Sequence, residues 1–160
     1  MKYRRFSLIA AILIPLAFLL SNNESYAQSM GGLSIEGYKF QSIWPESFRS
    51  VRGSVILQVG NSAPEARDIR NITATAYRKD VPFFTGTCSD VCFMPGSDSY
   101  QVSGVVSLCE GISVWTVIAA ALSFNPAEYT VDVTAELVLP NGMSIPVEKK
   151  GIPVTRFIHR

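Results

Sequence analysis

Residues 112–154 read ISVWTVIAAALSFNPAEYTVDVTAELVLPNGMSIPVEKKGIPV, and the periodicity changes inside that stretch. Ile112, Trp115, Ile118, Ala119 and Leu122 recur at helical spacing. Ser113 is placed to cap the start with its side-chain oxygen. Ala119, Ala120 and Ala121 are the strongest local helix formers. Pro126 biases Asn125 out of the helical region, so the helix is predicted over about 112–124. A buried strand over 113–119 is the alternative, because Val, Trp, Thr and Ile also suit strands. The alanine triplet and the length favour the helix. Trp115, Ile118 and Leu122 are expected in the core.

From Tyr129 the period becomes two. Tyr129, Val131, Val133, Ala135, Leu137 and Leu139 share one face, and Thr130, Asp132, Thr134 and Glu136 share the other. The turn that follows can be read two ways. A two-residue Asn141-Gly142 turn would put Ile145 and Val147 on the polar face. A three-residue Pro140-Asn141-Gly142 loop pairs Leu137 with Ile145 and Ala135 with Val147, so that all the apolar residues fall together. A one-residue slip flips every side chain, and this matching selects the three-residue loop. Pro146 cannot donate to a ladder and assigns the return strand to an edge or a bulge.

The rest of the chain reads as strands between turns. Leu33 to Trp44 is extended and Pro45 ends it. Val51 to Val59 alternates with Ile56 as the exception, and Asp68 to Arg78 places Ile72, Ala74 and Ala76 on one face. Lys79 to Pro82 makes a turn before a short strand from Phe83 to about Thr87. A loop, CSDVCFMPGSDS, leads to a strand from Tyr100 to Leu108. Strands without alternating helices predict an all-β, immunoglobulin- or fibronectin-III-like antiparallel sandwich, with one helix inserted before the last hairpin.

The amino terminus reads as an address. Lys2, Arg4 and Arg5 precede an apolar run from Leu8 to Leu20, and Ser25-Tyr26-Ala27 supplies small residues for cleavage after Ala27. The run is shorter than the roughly 20 residues a spanning helix needs. The expected organisation is therefore a signal peptide over 1–27, a lead-in over 28–32, one domain over 33–155 and a tail over 156–160. That places the protein in the periplasm or outside the cell. The chain carries 14 Lys and Arg against 13 Asp and Glu, and removing the leader makes it about neutral or slightly acidic. No basic run tracks a phosphate backbone, which argues against nucleic acid. No basic amphipathic helix suggests a membrane surface, and no integral membrane segment is expected after cleavage. A protein partner stays open, with the chain a monomer or weak oligomer.

No catalytic constellation and no cofactor motif is present, so the protein reads as a non-enzyme. His159 is the one histidine. It sits beside the chain end, where a base is poorly held. Cys88, Cys92 and Cys109 lack the two close pairs of a structural zinc site, so no metal is assigned. A hairpin around Pro95-Gly96 would set Cys88 against Gly104 and Cys109 against Phe83. That leaves Cys88–Cys92 as the preferred disulfide, with Cys92–Cys109 next. The spacing of Cys88 and Cys92 is not that of a C-x-x-C redox pair. Asp132 and Glu136 share a face but read as a solvated one. Phe83 and Phe84 read as core. Phe93 and Met94 are candidate partner contacts, and the segment from Cys88 to Ser99 is the expected working surface.

Three stretches carry a family resemblance: VILQVGNSAP, ITATAYRKDVPFFTG, and YTVDVTAELVLPNGMSIPVEKKGIPV after a late helix. From about Ile35 to Val154 the chain resembles the water-stress hypersensitive (WHy) domain of the atypical late-embryogenesis-abundant proteins. Ser62-Ala63 separate Asn61 from Pro64, so the Asn-Pro signature is partial, and the leader and cysteine segment lie outside the usual pattern. The resemblance implies a fibronectin-III-like sandwich with a carboxyl-end helix. It also implies a protective role under drying or osmotic stress. A structural role through the sheet edge at Pro146 and a thiol-redox role are the alternatives.

Overall fold

The structure, a computed structural model, describes residues 32–157. The cleavage site after Ala27 and His159 lie outside the described residues. Eight strands form one antiparallel, curled sheet: β1 (Leu33–Ser47), β2 (Ser50–Asn61), β3 (Arg67–Arg78), β4 (Val81–Cys88), β5 (Val91–Phe93), β6 (Gly96–Leu108), β7 (Tyr129–Val138) and β8 (Ser144–Pro153). Their order is β1-β2-β6-β4-β3-β7-β8, with β5 beside β3. The curl brings β2 and β5 together although three ladders separate β2 from β3. Asn61 at the end of β2 is buried and donates to the carbonyls of Phe93 and Glu65, each at 3.0 Å. The inserted helix, α1 (Val114–Leu122), and a 3₁₀ turn (Pro126–Glu128) sit between β6 and β7. The antiparallel all-β architecture with one late helix is therefore as the alternation predicts.

Strand β7 is the regular element of the core. Tyr129, Val131, Val133, Ala135 and Leu137 are all buried. The hairpin takes the three-residue loop: Leu137 faces Ile145 and Ala135 faces Val147. The Leu139 N–H donates to the Met143 carbonyl at 2.8 Å. Strand β8 is an edge, as Pro146 requires.

Both neighbours of β7 are bulged, and each bulge repairs a fault in parity. On β3, Asn71 and Ile72 together oppose Ala135, and Asn71 is left-handed (φ 52°). Ile69 and Ile72, three apart, both point inward as a result. On β8, Lys150 and Gly151 together oppose Asp132, with Gly151 at φ 66°. That lets Val147 and Ile152 both enter the core. Two residues against one is a bulge, with one extra residue in the strand, and each bulge here has a local anchor. Asp132 supplies one by accepting the Gly151 N–H at 2.8 Å. Glu136 supplies the other by accepting from Asn71 Nδ2 at 2.9 Å.

Four expectations need correction. Pro45 does not end β1, which continues to Ser47; β1 is an edge strand, where a missing N–H costs no ladder bond. The β3–β4 turn is the two-residue Lys79-Asp80, since Arg78 faces Val81, and both turn residues have φ above zero as a type I′ turn demands. The segment after Cys88 is mostly strand, because β5 pairs with β3 and β6 begins at Gly96. On α1, Trp115, Ile118 and Leu122 face outward, and Ala120 is the buried residue. Ala120 belongs to the buried core, and Val117 packs against that core half-buried.

Truncating Asp132 to Ala should lower stability by about 1–2 kcal/mol, because the Gly151 N–H loses a charged acceptor. Urea denaturation measures it. A change within about 0.3 kcal/mol would show that the β8 bulge holds without its clamp.

Candidate functional site

The loops divide between two ends of the sheet. One end carries the β1–β2 turn (Phe48-Arg49), the β3–β4 turn (Lys79-Asp80) and α1. The opposite end carries Asn61, Phe93, Met94 and the Asn141-Gly142 loop.

At the helix end, Ser113 caps α1 by accepting from the Thr116 N–H at 3.1 Å. No acidic residue lies in its first turn and no basic residue in its last. Trp115 is 79% exposed and Leu122 82%, and Ile118 lies between them at helical spacing. Val117 is half-buried and Ala120 fully buried, so the outward stripe is apolar and lies opposite the packed face. Phe48, 85% exposed, stands at the tip of the β1–β2 turn. Between that turn and the helix runs a groove of about 250 Å³ lined by Val51, Phe84, Val106, Leu108, Val114 and Val117. The turn is fixed to β6: the Leu108 N–H donates to the Arg49 carbonyl at 2.9 Å, and Arg49 Nη2 donates to the Cys109 carbonyl at 3.0 Å. Beyond Arg49 lies a shallower cleft bordered by Glu110, Ile112 and Ser113. The 3₁₀ turn is held by Glu128, which accepts from Arg78 Nε at 3.1 Å and lies 3.6 Å from Lys79 Nζ. The hydrogen bond from Arg78 leads in keeping the Glu128 carboxyl below its usual range.

At the opposite end the expected site residues are scattered. Phe93 is fully buried, stacked edge-on against Tyr100 at 4.9 Å, and its carbonyl is held by Asn61. It is a core residue and not a partner contact. Met94 is 55% exposed, and its N–H donates to the Tyr100 hydroxyl at 2.9 Å. The Cys88–Cys92 disulfide is also corrected: all three cysteines are free thiols. Cys88 pairs with Ile72 and follows the inward series of β4, whereas Cys92 pairs with Asp68 and is exposed. The β3 bulge lies between Asp68 and Ile72, so the two thiols point to opposite faces. Cys109 follows β6, and its N–H donates to the Phe83 carbonyl, as the hairpin argument predicts. Asp132 and Glu136 each clamp a bulge, which accounts for both without acid–base chemistry. Among the described residues no group of three potential ligands could hold a metal ion, and no helix is long and apolar enough to cross a membrane.

The helix stripe escaped the sequence reading because helical periodicity reports that a face is apolar, not which way it points. No family model matches the chain, and no curated protein matches it. Among solved structures, it is similar to a protein from Archaeoglobus fulgidus at 12% identity and a TM-score of 0.48, over 74% of this chain and 94% of that one. It is similar to a FixG-related protein from Vibrio parahaemolyticus at 13% identity and a TM-score of 0.31, over 76% and 95% of the two chains. A beta-glucuronidase from glycoside hydrolase family 2 matches at 13% identity and a TM-score of 0.33, over 72% of this chain and 11% of that one. None of these likenesses carries an activity across.

Burial pushes the Cys88 thiol up from 9.0 to about 11. A thiol that holds its proton more tightly when folded contributes stability that is complete below about pH 9 and lost as pH rises through about 11. Native protein should therefore lose on the order of 2 kcal/mol across that window, and Cys88→Ala should flatten the loss. A maleimide at pH 7 should label Cys92 in the native state and Cys88 only on unfolding. Equal native labelling of both would refute the inward placement of Cys88.

Proposed function

We propose that the protein is a non-enzymatic, exported module of the cell envelope that binds apolar segments of other proteins and protects them under drying or osmotic stress. One observation carries this reading: a helix with no charged residue holds Trp115, Ile118 and Leu122 in solvent, beside Phe48. Large apolar side chains grouped in this way mark contact surfaces. Unfolding proteins expose apolar segments, and a rigid apolar stripe covers them without a specific sequence. The resemblance to the WHy domain supplies the protective context, and the leader pattern supplies the compartment.

The two alternatives are weaker on the same geometry. Strand β8 as a docking edge carries Pro146, Pro153, a bulge and two lysines, all of which obstruct strand addition. A thiol-redox role would need two thiols within reach, and Cys88 and Cys92 face apart.

The test is protection of an enzyme during drying or heating by the folded domain, against an inert protein of equal mass. Trp115→Ser with Leu122→Ser should keep the thermal midpoint and remove at least half of the protection. Protection unchanged in that variant would sink the reading.

A further inference from the structure

Independently of the outward stripe, the groove behind it has the character of a small-molecule site. Its walls come from four elements: Val51 on β2, Phe84 on β4, Val106 and Leu108 on β6, and Val117 on α1. Its volume, about 250 Å³, lies just below the usual range for ligand pockets. It is too small for a helix or strand and suits one narrow apolar chain. The single ionisable side chain on its lining is Arg49. That guanidinium spends one N–H on the Cys109 carbonyl and has no carboxylate partner among the described residues. A guanidinium has five donors in a planar fork that matches a carboxylate. Its backbone is bonded to β6 and its Nη2 to the Cys109 carbonyl, which together hold the charge beside the groove it lines. Glu110 borders the cleft on the other side of Arg49 and is the one acidic side chain lining either depression.

We propose that this groove binds a medium-chain alkyl carboxylate, with the alkyl chain between β6 and α1 and the carboxylate on Arg49. Each methylene buried should tighten binding by up to about four-fold, so length should matter until the groove is full. Glu110 opposes the anion, and its removal should tighten binding.

Calorimetric titration of the protein with octanoate, octanol and octylamine tests this. Octanoate should bind saturably at one site, octanol at least five-fold more weakly, and octylamine more weakly still. Arg49→Gln should reduce octanoate to the level of octanol, and Glu110→Gln should strengthen octanoate while leaving octanol alone. Val117→Phe, which narrows the groove from a half-buried position, should weaken both. The proposal is overturned if octylamine binds as well as octanoate, if Arg49→Gln leaves the preference intact, or if an apolar peptide occupies the groove and octanoate does not displace it. Trp115→Ser with Leu122→Ser should leave octanoate binding unchanged, so failure here and failure of the protective reading are separate results.

Discussion

Two carboxylates on the outer face of β7 hold the strands on either side of it in register. Asp132 clamps the Gly151 backbone on β8, and Glu136 clamps the Asn71 side chain on β3. Each clamp sits at a residue that two residues oppose, or beside one. Without the bulges, Ile69 or Ile72 on one side and Val147 or Ile152 on the other would turn to solvent, because a strand alternates strictly. The buried layer of the molecule therefore depends on the two bulges, and polar contacts made outside it sit at both. The cost of exposing even one of these aliphatic side chains, about 1.5–3 kcal/mol, exceeds what a surface hydrogen bond usually contributes. The bulges would persist under that pressure, and the carboxylates serve to fix where they form.

The same parity governs chemistry at the two ends of the sheet. By turning Cys88 inward and leaving Cys92 outward, the β3 bulge separates two thiols that lie close in sequence. Phe93 turns inward with Val91, and Asn61 closes over its carbonyl. The large hydrophobic side chains left exposed at that end are Met94 and Met143, with the Cys92 thiol beside the strands. The apolar surface has gathered at the other end, on α1 and Phe48, where no strand alternation constrains it.

Strand β7, its three-residue hairpin loop and the Ser113 cap were all legible in the sequence, because each follows from a local rule that nothing in the fold opposes. The bulges were not, since an extra residue in β3 or β8 looks like ordinary imperfect alternation until its partner is known. Pro45 misled for a related reason: proline stops a strand only where its missing N–H is needed, and the edge position of β1 is a property of the whole sheet. The candidate site was the least legible part. The residues of α1 were visible as an apolar helix, yet a free apolar stripe and a buried one have the same spelling. Choosing between them required knowing which face of the helix meets the core, and that is the face of Val117 and Ala120.

The left-handed Gly142 at the tip of the β7–β8 hairpin has open space around it. Its neighbours Pro140, Asn141 and Met143 are exposed, and the tip lies at the far end of the sheet from α1. A tether attached there would leave the helix, the groove and the β1–β2 turn facing away from the point of attachment. The hairpin tip is thus a natural handle: the domain can be immobilised or fused by it with its apolar end presented to solution.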